Sequence, residues 1–236
     1  MLRRTPTLVL TAVAASAALA GCGGVAIGTG DLVTQDREIT AVTAVTLATA
    51  GRLTVSTGDE PGLTVTAGEQ VIDRLTSEVR DGVLVLDLPG RWVNLGPIEY
   101  DLVLPRVERI AVDGAGDVRG EVAPTDAFEL TIEGAADVDL DGLDVDDLTV
   151  RIDGTGTVTL TGTADSQDVR LDGAGSYSAV DLETREAVVA LSGVGEVEVH
   201  VTELLDAQID GAGRIGYRGD PEVTRSIDGV GSISGA

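Results

Sequence analysis

A seven-residue motif that recurs seven times in the second half of the chain constrains the fold more than any other feature. Its first copy, residues 112–118, reads Val-Asp-Gly-Ala-Gly-Asp-Val, and its last, residues 227–233, reads Ile-Asp-Gly-Val-Gly-Ser-Ile. The first glycines of successive copies lie 20, 20, 19, 20, 18 and 18 residues apart. A fixed period of this size is typical of stacked coils, because one such repeat cannot bury its apolar face alone. The motif therefore predicts a solenoid.

Alternating apolar residues on both sides of each motif predict strands. Around the third copy, Leu148, Val150 and Ile152 precede the glycine corner, and Val158 and Leu160 follow it. Two strands joined by a corner would form one coil, and about seven coils would stack about 4.8 Å apart. Aromatic residues make up 2% of the chain, so the core must consist of Val, Leu, Ile and Ala.

We expect glycine at the corners because neighbouring coils approach closely there and because some corner residues need a positive φ. Ala136 replaces one of these glycines, which should be tolerated. The corner glycines are Gly114, Gly116, Gly134, Gly154, Gly156, Gly173, Gly175, Gly193, Gly195, Gly211, Gly213, Gly229 and Gly231.

The first 22 residues predict export and a lipid anchor. Arg3 and Arg4 precede a short apolar stretch, as in a secretory signal peptide over residues 1–21. Residues 19–22, Leu-Ala-Gly-Cys, resemble the lipobox of bacterial lipoproteins, which implies lipidation of Cys22 and a location on the extracytoplasmic face of the cell membrane. The alternative is a plain signal peptide with an incidental cysteine. Cys22 is the only cysteine, so it cannot form an intramolecular disulfide.

The remaining chain divides into a tether and one domain. Residues 22–38 are Gly-rich and predict a lipidated cysteine followed by a flexible tether. Residues 39–236 predict an all-β domain, in which N-terminal antiparallel strands over 39–110 pack on or continue the repeats of 111–236. Asp81-Gly82 predicts a hairpin turn, Gly51 predicts another turn, and residues 70–80 fit a helical turn as well as a strand.

Three features together match a known family. They are the segment 76–84, Thr-Ser-Glu-Val-Arg-Asp-Gly-Val-Leu, a strand led by Pro105 into the first corner, and the repeated Asp-Gly-Ala-Gly corners. With these features, residues 39–236 resemble the putative auto-transporter adhesin head GIN domain family. The resemblance implies a right-handed β-helix-like solenoid at the cell surface. It implies no catalytic residues and no cofactor.

The acid before each corner is the most regular polar feature. In-register stacking would place these carboxylates in a ladder, where two charges 4.8 Å apart in water repel by roughly 0.9 kcal/mol. Either each carboxylate accepts a backbone N–H of its own turn, or the ladder collects cations such as Ca²⁺. The column after the corner has consecutive acids only at Asp117 and Asp137, with Glu196 as a single later acid. A site that needs both columns could therefore form only in the first two coils, and we expect weak cation binding at most. The ladder consists of Asp113, Glu133, Asp153, Asp172, Asp210 and Asp228, with Ser192 as the interruption.

Signals for catalysis are weak in this sequence. His200 is the only histidine and falls on the polar side of a strand, which argues against Ser-His-Asp catalysis and His-based metal sites. Arg119, Arg151 and Arg170 are scattered, and no aromatic platform for sugars accompanies them. We expect a non-catalytic surface module for binding, adhesion or structure. The alternatives are an envelope carbohydrate-active β-helix enzyme, which would need a groove with convergent acids and arginine, and a Ca²⁺-binding spacer or sensor.

Charge and the last repeat bear on the partners. The net charge of −24 argues against nucleic acid, whose binding depends on Lys and Arg. The expected contacts are the membrane, through the lipid on Cys22, and an envelope protein or polysaccharide. Only residues 234–236 follow the last corner, with no polar capping element, so we also expect self-association through the edge strands of the C-terminal coil.

Overall fold

The computed structural model describes residues 26–27, 30–93 and 95–235, and this part of the chain contains strands and no α-helix. A single 3-10 turn, Ile72–Arg74, lies between the fifth and sixth strands. The strands of the N-terminal part are β1 (Ala26–Ile27), β2 (Leu32–Arg37), β3 (Ala44–Leu47), β4 (Ala50–Thr57), β5 (Gly62–Gly68), β6 (Thr76–Arg80), β7 (Val83–Asp87), β8 (Trp92–Val93) and β9 (Ile98–Leu104).

The repeats form longer strands, several of which continue from one coil into the next. They are β10 (Arg109–Val112), β11 (Ala115–Glu121), β12 (Thr125–Ile132), β13 (Ala135–Ile152), β14 (Thr155–Leu171), β15 (Ala174–Leu191), β16 (Val194–Ile209), β17 (Ala212–Arg218), β18 (Glu222–Ile227) and β19 (Val230–Gly235).

Parallel pairing of successive coils builds the solenoid. Each strand that precedes a corner lies on the strand that precedes the next corner, as Val112 pairs with Ile132. The strands that follow the corners stack in the same way, as Val118 pairs with Val138. The predicted β-solenoid is confirmed, with about six turns where the sequence predicted about seven coils. The difference is small because six turns separate seven corners.

The core is a set of aliphatic columns that run along the solenoid. Val118, Val138, Val158, Val197 and Ile215 occupy one column, and each is at most 2% exposed. The inward-facing positions predicted around the third corner are confirmed, since all five are buried: Leu148, Val150, Ile152, Val158 and Leu160. Burial of each such side chain stabilises the fold by about 1.5–3 kcal/mol, and this packing depends on every coil keeping its register.

A buried polar network interrupts the aliphatic core. Tyr177 occupies the position of Val158 one coil later, and its hydroxyl donates to Oε1 of Gln167 at 3.1 Å. Nε2 of Gln167 donates in turn to Oγ1 of Thr184 at 2.8 Å. All three side chains are buried. Burial raises the pKa of the Tyr177 phenol well above its usual range, because the charged phenolate would lose its hydration.

The N-terminal strands both continue the solenoid and cover its first coil. β3 and β4 pair in parallel with β10 and β11 on one side and with β7 and β9 on the other. The chain therefore forms β3 and β4, the second layer, before β7 and β9, the first layer. After β9 it passes over the layer of β3 and β4 to reach β10. β5 pairs antiparallel with β2 and β9, and β6 pairs antiparallel with β7. These antiparallel strands cover the sheet edges at this end.

Local features of this region follow from its turns. Asp81 and Gly82 both have positive φ, 51° and 81°, and form the predicted hairpin turn between β6 and β7. The ambiguous segment 70–80 splits into the 3-10 turn and β6. Gly51 lies in β4 and pairs with the corner glycine Gly116, and the turn expected at Gly51 is centred two residues earlier, at the bend of Thr49.

The structure shortens the tether expected over residues 22–38. Residues 32–37 form β2, in which alternate residues are partly buried. The Arg37 guanidinium holds this strand in place, donating to the carbonyl oxygens of Leu75 and Ile72 at 2.7 and 2.8 Å and to Oγ of Ser77 at 2.9 Å. Glycine content alone missed this strand because its anchoring contacts come from residues 35 to 40 positions further along the chain.

The C-terminal end carries a cap that the sequence did not predict. Arg225 pairs with Ala207 and so occupies an inward-facing column. Its guanidinium lies 5.6 Å from the centre of the Tyr217 ring, and Nη2 donates to the Tyr217 hydroxyl at 2.5 Å. A cation over an aromatic face is an attractive pair, and it covers the end of the core. Within the described residues, the outer edges of β18 and β19 still have no partner strand.

Candidate binding groove

The corner glycines are required by close contact between coils. A Cβ at Gly154 would lie 1.9 Å from the carbonyl oxygen of Gly134, and the first glycine of every other corner is in the same situation. A Cα–H that faces a carbonyl at such a position makes a weak favourable contact. Among the corner glycines only Gly156, at 150°, has a φ in the positive region. Positive φ is therefore only a minor reason for glycine at the corners. Ala136, which replaces one of the corner glycines, places its methyl group in the buried core.

The acidic ladder lies on the outside of the corners, as expected. All six carboxylates are exposed. The backbone N–H groups of the turn do not donate to these carboxylates. The N–H groups of Asp153 and Gly154 instead both donate to the carbonyl of Ile132 in the preceding coil, each at 2.9 Å. The same pattern recurs at the other corners. Among the ladder acids only Asp210 has a side-chain hydrogen bond, from Nε2 of Gln208 at 2.7 Å.

The ladder forms no compact metal site in the described part of the chain, where no three acidic, His or Cys side chains are grouped to hold one ion. In the column after the corner, arginine forms ion pairs with acidic side chains near both ends. Arg52 forms ion pairs with Glu99 and Asp117 at 3.7 and 3.4 Å, and Nε of Arg214 donates to Glu196 at 2.9 Å. Cation binding by the ladder stays a prediction.

A groove lies on the face formed by the strands that precede the corners. β3 and β10 have four residues each, whereas β12 in the next coil has eight. Because the two strands are short, a groove of about 840 Å³ opens between the Asp81-Gly82 turn and the following coils. Asp126, Asp147 and Thr43 line it with polar groups.

An ion-pair triad lies in the wall of this groove. Glu129 Oε2 accepts from Nε of Arg109 at 2.9 Å, and its Oε1 accepts from Nη1 of Arg151 at 3.0 Å. The groove thus brings together acids and arginine, the combination expected of the enzyme alternative. Both guanidinium groups, however, share one carboxylate that neutralises them in part. The triad can position a polar ligand through its remaining N–H groups.

A second, smaller cavity of about 300 Å³ lies on the same face, three coils further along. Its lining includes Val188 and Leu204, which are 49% and 45% exposed. A hydrogen bond from Oγ of Ser166 to Asp147 at 2.7 Å joins the two regions. We call the surface from the Asp81-Gly82 turn to Leu204 the groove face.

The remaining sequence-predicted residues do not form one site, and some of them lie outside the described residues. His200 is half-buried in β16 between Val199 and Val201, and its register neighbours in the adjacent coils are Glu183 and Arg218. Of the three arginines, Arg151 lines the groove, whereas Arg119 and Arg170 do not. Cys22 and the predicted signal segment lie outside the described residues. Within the described part, no helix has the length and apolar character needed to cross a membrane.

A family profile decides the relationship of the chain. The profile of the putative auto-transporter adhesin, head GIN domain, matches residues 41–221. The chain belongs to this family. The resemblance inferred from the corners and from residues 76–84 is confirmed. No protein with curated functional data matches the chain.

Solved structures with the same fold come from bacteria. A putative adhesin from Bacteroides fragilis is 25% identical, with a TM-score of 0.86 over 89% of this chain and 100% of its own. A putative lipid binding protein from Parabacteroides distasonis is 23% identical, with a TM-score of 0.71 over 90% and 100%. A putative adhesin from Parabacteroides merdae is 19% identical, with a TM-score of 0.68 over 89% and 98%. The first of these and the family place the GIN domain among adhesin-like, extracytoplasmic proteins.

Sequence reasoning missed the groove and the residues that build it. Arg109 and Glu129 lie 20 residues apart, which is one repeat, so opposite charges at this spacing were an available signal for an ion pair between coils. The short length of β3 and β10 had no such signal. Residues 47–53 form an eighth, degenerate corner, which was hidden because Ala48 and Thr49 stand where later copies have an acid and glycine.

Proposed function

We propose that this GIN-domain protein is a lipid-anchored, non-catalytic binding module of the cell surface, and that its groove face contacts an envelope partner. The observation that carries the proposal is the groove of about 840 Å³ with its ion-paired Arg109-Glu129-Arg151 wall. Groups that already neutralise one another suit recognition of a polar ligand better than proton transfer. Family membership supports the adhesin-like role.

Charge reversal on two faces tests this proposal. Asp126 is exposed and lines the groove, whereas Asp139 is exposed on the strand face beyond the corner. The full chain with Asp126→Lys should capture several-fold less envelope material than the wild type, because the reversed charge repels a ligand that fits the acidic groove. The matched variant Asp139→Lys should capture as much as the wild type. Equal capture by both variants would show that the groove face does not contact the partner.

The lipid anchor is a separate part of the proposal, supported by Leu-Ala-Gly-Cys at residues 19–22. The wild-type chain expressed in a bacterium should fractionate with membranes, and Cys22→Ser should move it to the soluble extracytoplasmic fraction. A lipid chain supplies about 0.8 kcal/mol per buried methylene, whereas a plain signal peptide would leave both forms soluble. Equal distribution of the two forms would therefore exclude the anchor.

The carbohydrate-active enzyme is a second candidate because the groove does hold acids and arginine together. This reading requires a general acid and a second carboxylate on either side of a glycosidic bond. Incubation of the chain with envelope polysaccharide should release reducing ends if it is correct, and Asp126→Asn or Glu129→Gln should abolish the release. We expect no release from any of the three proteins.

We also propose that the last coil associates with a second copy at high concentration. Ile227 and Val230 are 45% and 77% exposed there, and the strand edges have free backbone groups that can pair. Arg225 opposes this contact because stacking would bury its charge. Light scattering at increasing concentration should show a weak rise in mass, and a constant monomer mass would exclude the contact.

A further inference from the structure

Two solvent-facing columns of the groove face change character in the later coils. The first column, read along the solenoid, consists of Ala127, Asp147, Ser166, Glu186, Leu204 and Glu222. The second consists of Arg109, Glu129, Thr149, Asp168, Val188, Asp206 and Thr224. Beyond the alanine, Leu204 and Val188 are the apolar members. They lie in adjacent coils.

This apolar pair lies in a cavity, which distinguishes it from scattered exposed residues. Val188 and Leu204 line the cavity of about 300 Å³ together with the buried Ala187 and Gln167. Single exposed apolar side chains are common on protein surfaces, but here two adjacent ones form the wall of one concavity. The second column continues at its N-terminal end into Ala44 and Val83, but from β10 onward its other members are polar, and in the first column only Ala127 is not. We call this concavity the Val188 pocket.

Carboxylates lie above and below both apolar side chains. Val188 pairs with Asp168 in one neighbouring coil and with Asp206 in the other. Leu204 pairs with Glu186 and Glu222 in the same way. Of these four, Asp168 is ion-paired with Arg170 at 2.8 Å. The other three form no ion pair among the described residues, so the pocket is an apolar spot inside a negative frame.

One atom in the pocket lacks a hydrogen-bond partner. Oδ1 of Asp168 is shielded from solvent and accepts no hydrogen bond, whereas its Oδ2 accepts from Arg170. A buried acceptor without a donor is unfavourable by about 1–3 kcal/mol. Because this oxygen is shielded, the unmade bond is a local cost of the fold, and it does not identify the ligand.

We propose that the Val188 pocket binds one apolar side chain of an extended peptide segment whose neighbouring same-face residues are Lys or Arg. In an extended chain, side chains two positions apart on one face are separated by about 6.6 Å. The basic groups at i−2 and i+2 are thus about 13 Å apart, against about 10 Å between the coils of Asp168 and Asp206. Flexible basic side chains cover this difference. No aromatic side chain lines the pocket to stack on a sugar ring, which favours peptide over polysaccharide. The inference rests on the proposed function, because it names the partner chemistry for the groove face.

A peptide titration tests the inference with the full chain. The probe is an acetylated nine-residue peptide with Lys at positions 3 and 7, Leu at position 5 and Thr elsewhere, followed by fluorescence polarisation. We expect saturable binding that weakens as salt rises, because exposed charges are screened. Replacing the Leu by Ser in the probe should weaken binding at least fivefold. The double variant Val188→Thr with Leu204→Thr should weaken binding at least tenfold.

Val194→Thr is the matched control, because Val194 is 62% exposed on a corner away from the pocket. It should leave binding unchanged. The inference is overturned if the Leu and Ser probes bind equally, if the double variant binds as the wild type does, or if only a neutral glucan probe binds. If the peptide fails while Asp126→Lys still lowers envelope capture, the proposed function stands and this inference falls. If Asp126→Lys leaves capture unchanged, the proposed function itself fails.

Discussion

Replacing Gly154 by alanine tests the packing that organises the solenoid. The added Cβ would lie 1.9 Å from the carbonyl oxygen of Gly134 and 2.6 Å from that of Glu133, and real Cβ atoms are essentially never closer than 3.0 Å to such an atom. The two coils must therefore separate locally by about 1 Å, because both contacts are with backbone rather than with a flexible side chain. The strain from this separation would fall inside the stack of coils rather than at one of its ends.

The size of the effect follows from the hydrogen bonds at this corner. Asp153, Gly154 and Thr155 donate their N–H groups to the preceding coil, each at 2.9 Å. A further 1 Å takes these bonds beyond the range of useful geometry. Three bonds worth about 0.5–1.5 kcal/mol each give a loss of about 1.5–4.5 kcal/mol in unfolding free energy. That is a large part of the about 5–15 kcal/mol that stabilises most domains.

Urea unfolding followed by circular dichroism measures this loss, with Gly216→Ala as the matched control in the same solenoid. A Cβ at Gly216 would have its nearest neighbour at 3.6 Å, an ordinary contact. The control should be within about 0.5 kcal/mol of the wild type. If Gly154→Ala is equally mild, or if Gly216→Ala is equally damaging, close approach is not the reason for glycine at the corners.

Four further predictions follow from the core, the cap and the ladder. Tyr177→Phe should lower the unfolding free energy by about 1–2 kcal/mol, because Oε1 of Gln167 stays buried without its donor; denaturant titration measures it. Burial raises the pKa of Tyr177 and Tyr100 in the folded state, so above about pH 10 only the unfolded chain ionises there, and stability should fall by up to about 1.4 kcal/mol per pH unit for each tyrosine. The fall should be shallower in Tyr177→Phe, and an unchanged slope would contradict this cause. Arg225→Val should increase the light-scattering mass at a given concentration, since it removes the charge that opposes end-to-end contact; a lower or equal mass would count against that role. If the acidic ladder binds cations weakly, the melting temperature measured by calorimetry should be slightly higher in Ca²⁺ than in chelator. An unchanged melting temperature would exclude cation binding by the ladder.

The repeat made much of the fold predictable. Gly154 and its equivalents recur at one period with apolar residues at fixed parity, so stacked parallel coils with inward Val, Leu and Ile follow from local sequence. Asp81-Gly82 also specified its turn locally, because both residues accept positive φ. These features depend on residues close together in the chain or one period apart.

Features that depend on distant or single residues were not predictable in the same way. The order of layers around β3 and β4 depends on a chain crossing that no local pattern marks. Arg225 and Tyr217 form their cap because alternation continues to the last strand, so a charged residue on the apolar parity was the available signal. The groove depends on the lengths of the strands in two coils. The Val188 pocket depends on two apolar residues in otherwise polar columns, and only the register of the stacked coils shows that they are neighbours.

Site-specific photocrosslinking tests most directly whether the groove face meets the partner. A benzophenone amino acid would replace Glu186, which is exposed in the first column of the groove face, or Glu198, which is exposed on the other strand face of the solenoid. Both full-length proteins would be irradiated in intact cell envelopes. The account predicts a discrete crosslinked product from position 186 and none from position 198. Products from position 198 alone, or equal products from both positions, would contradict it.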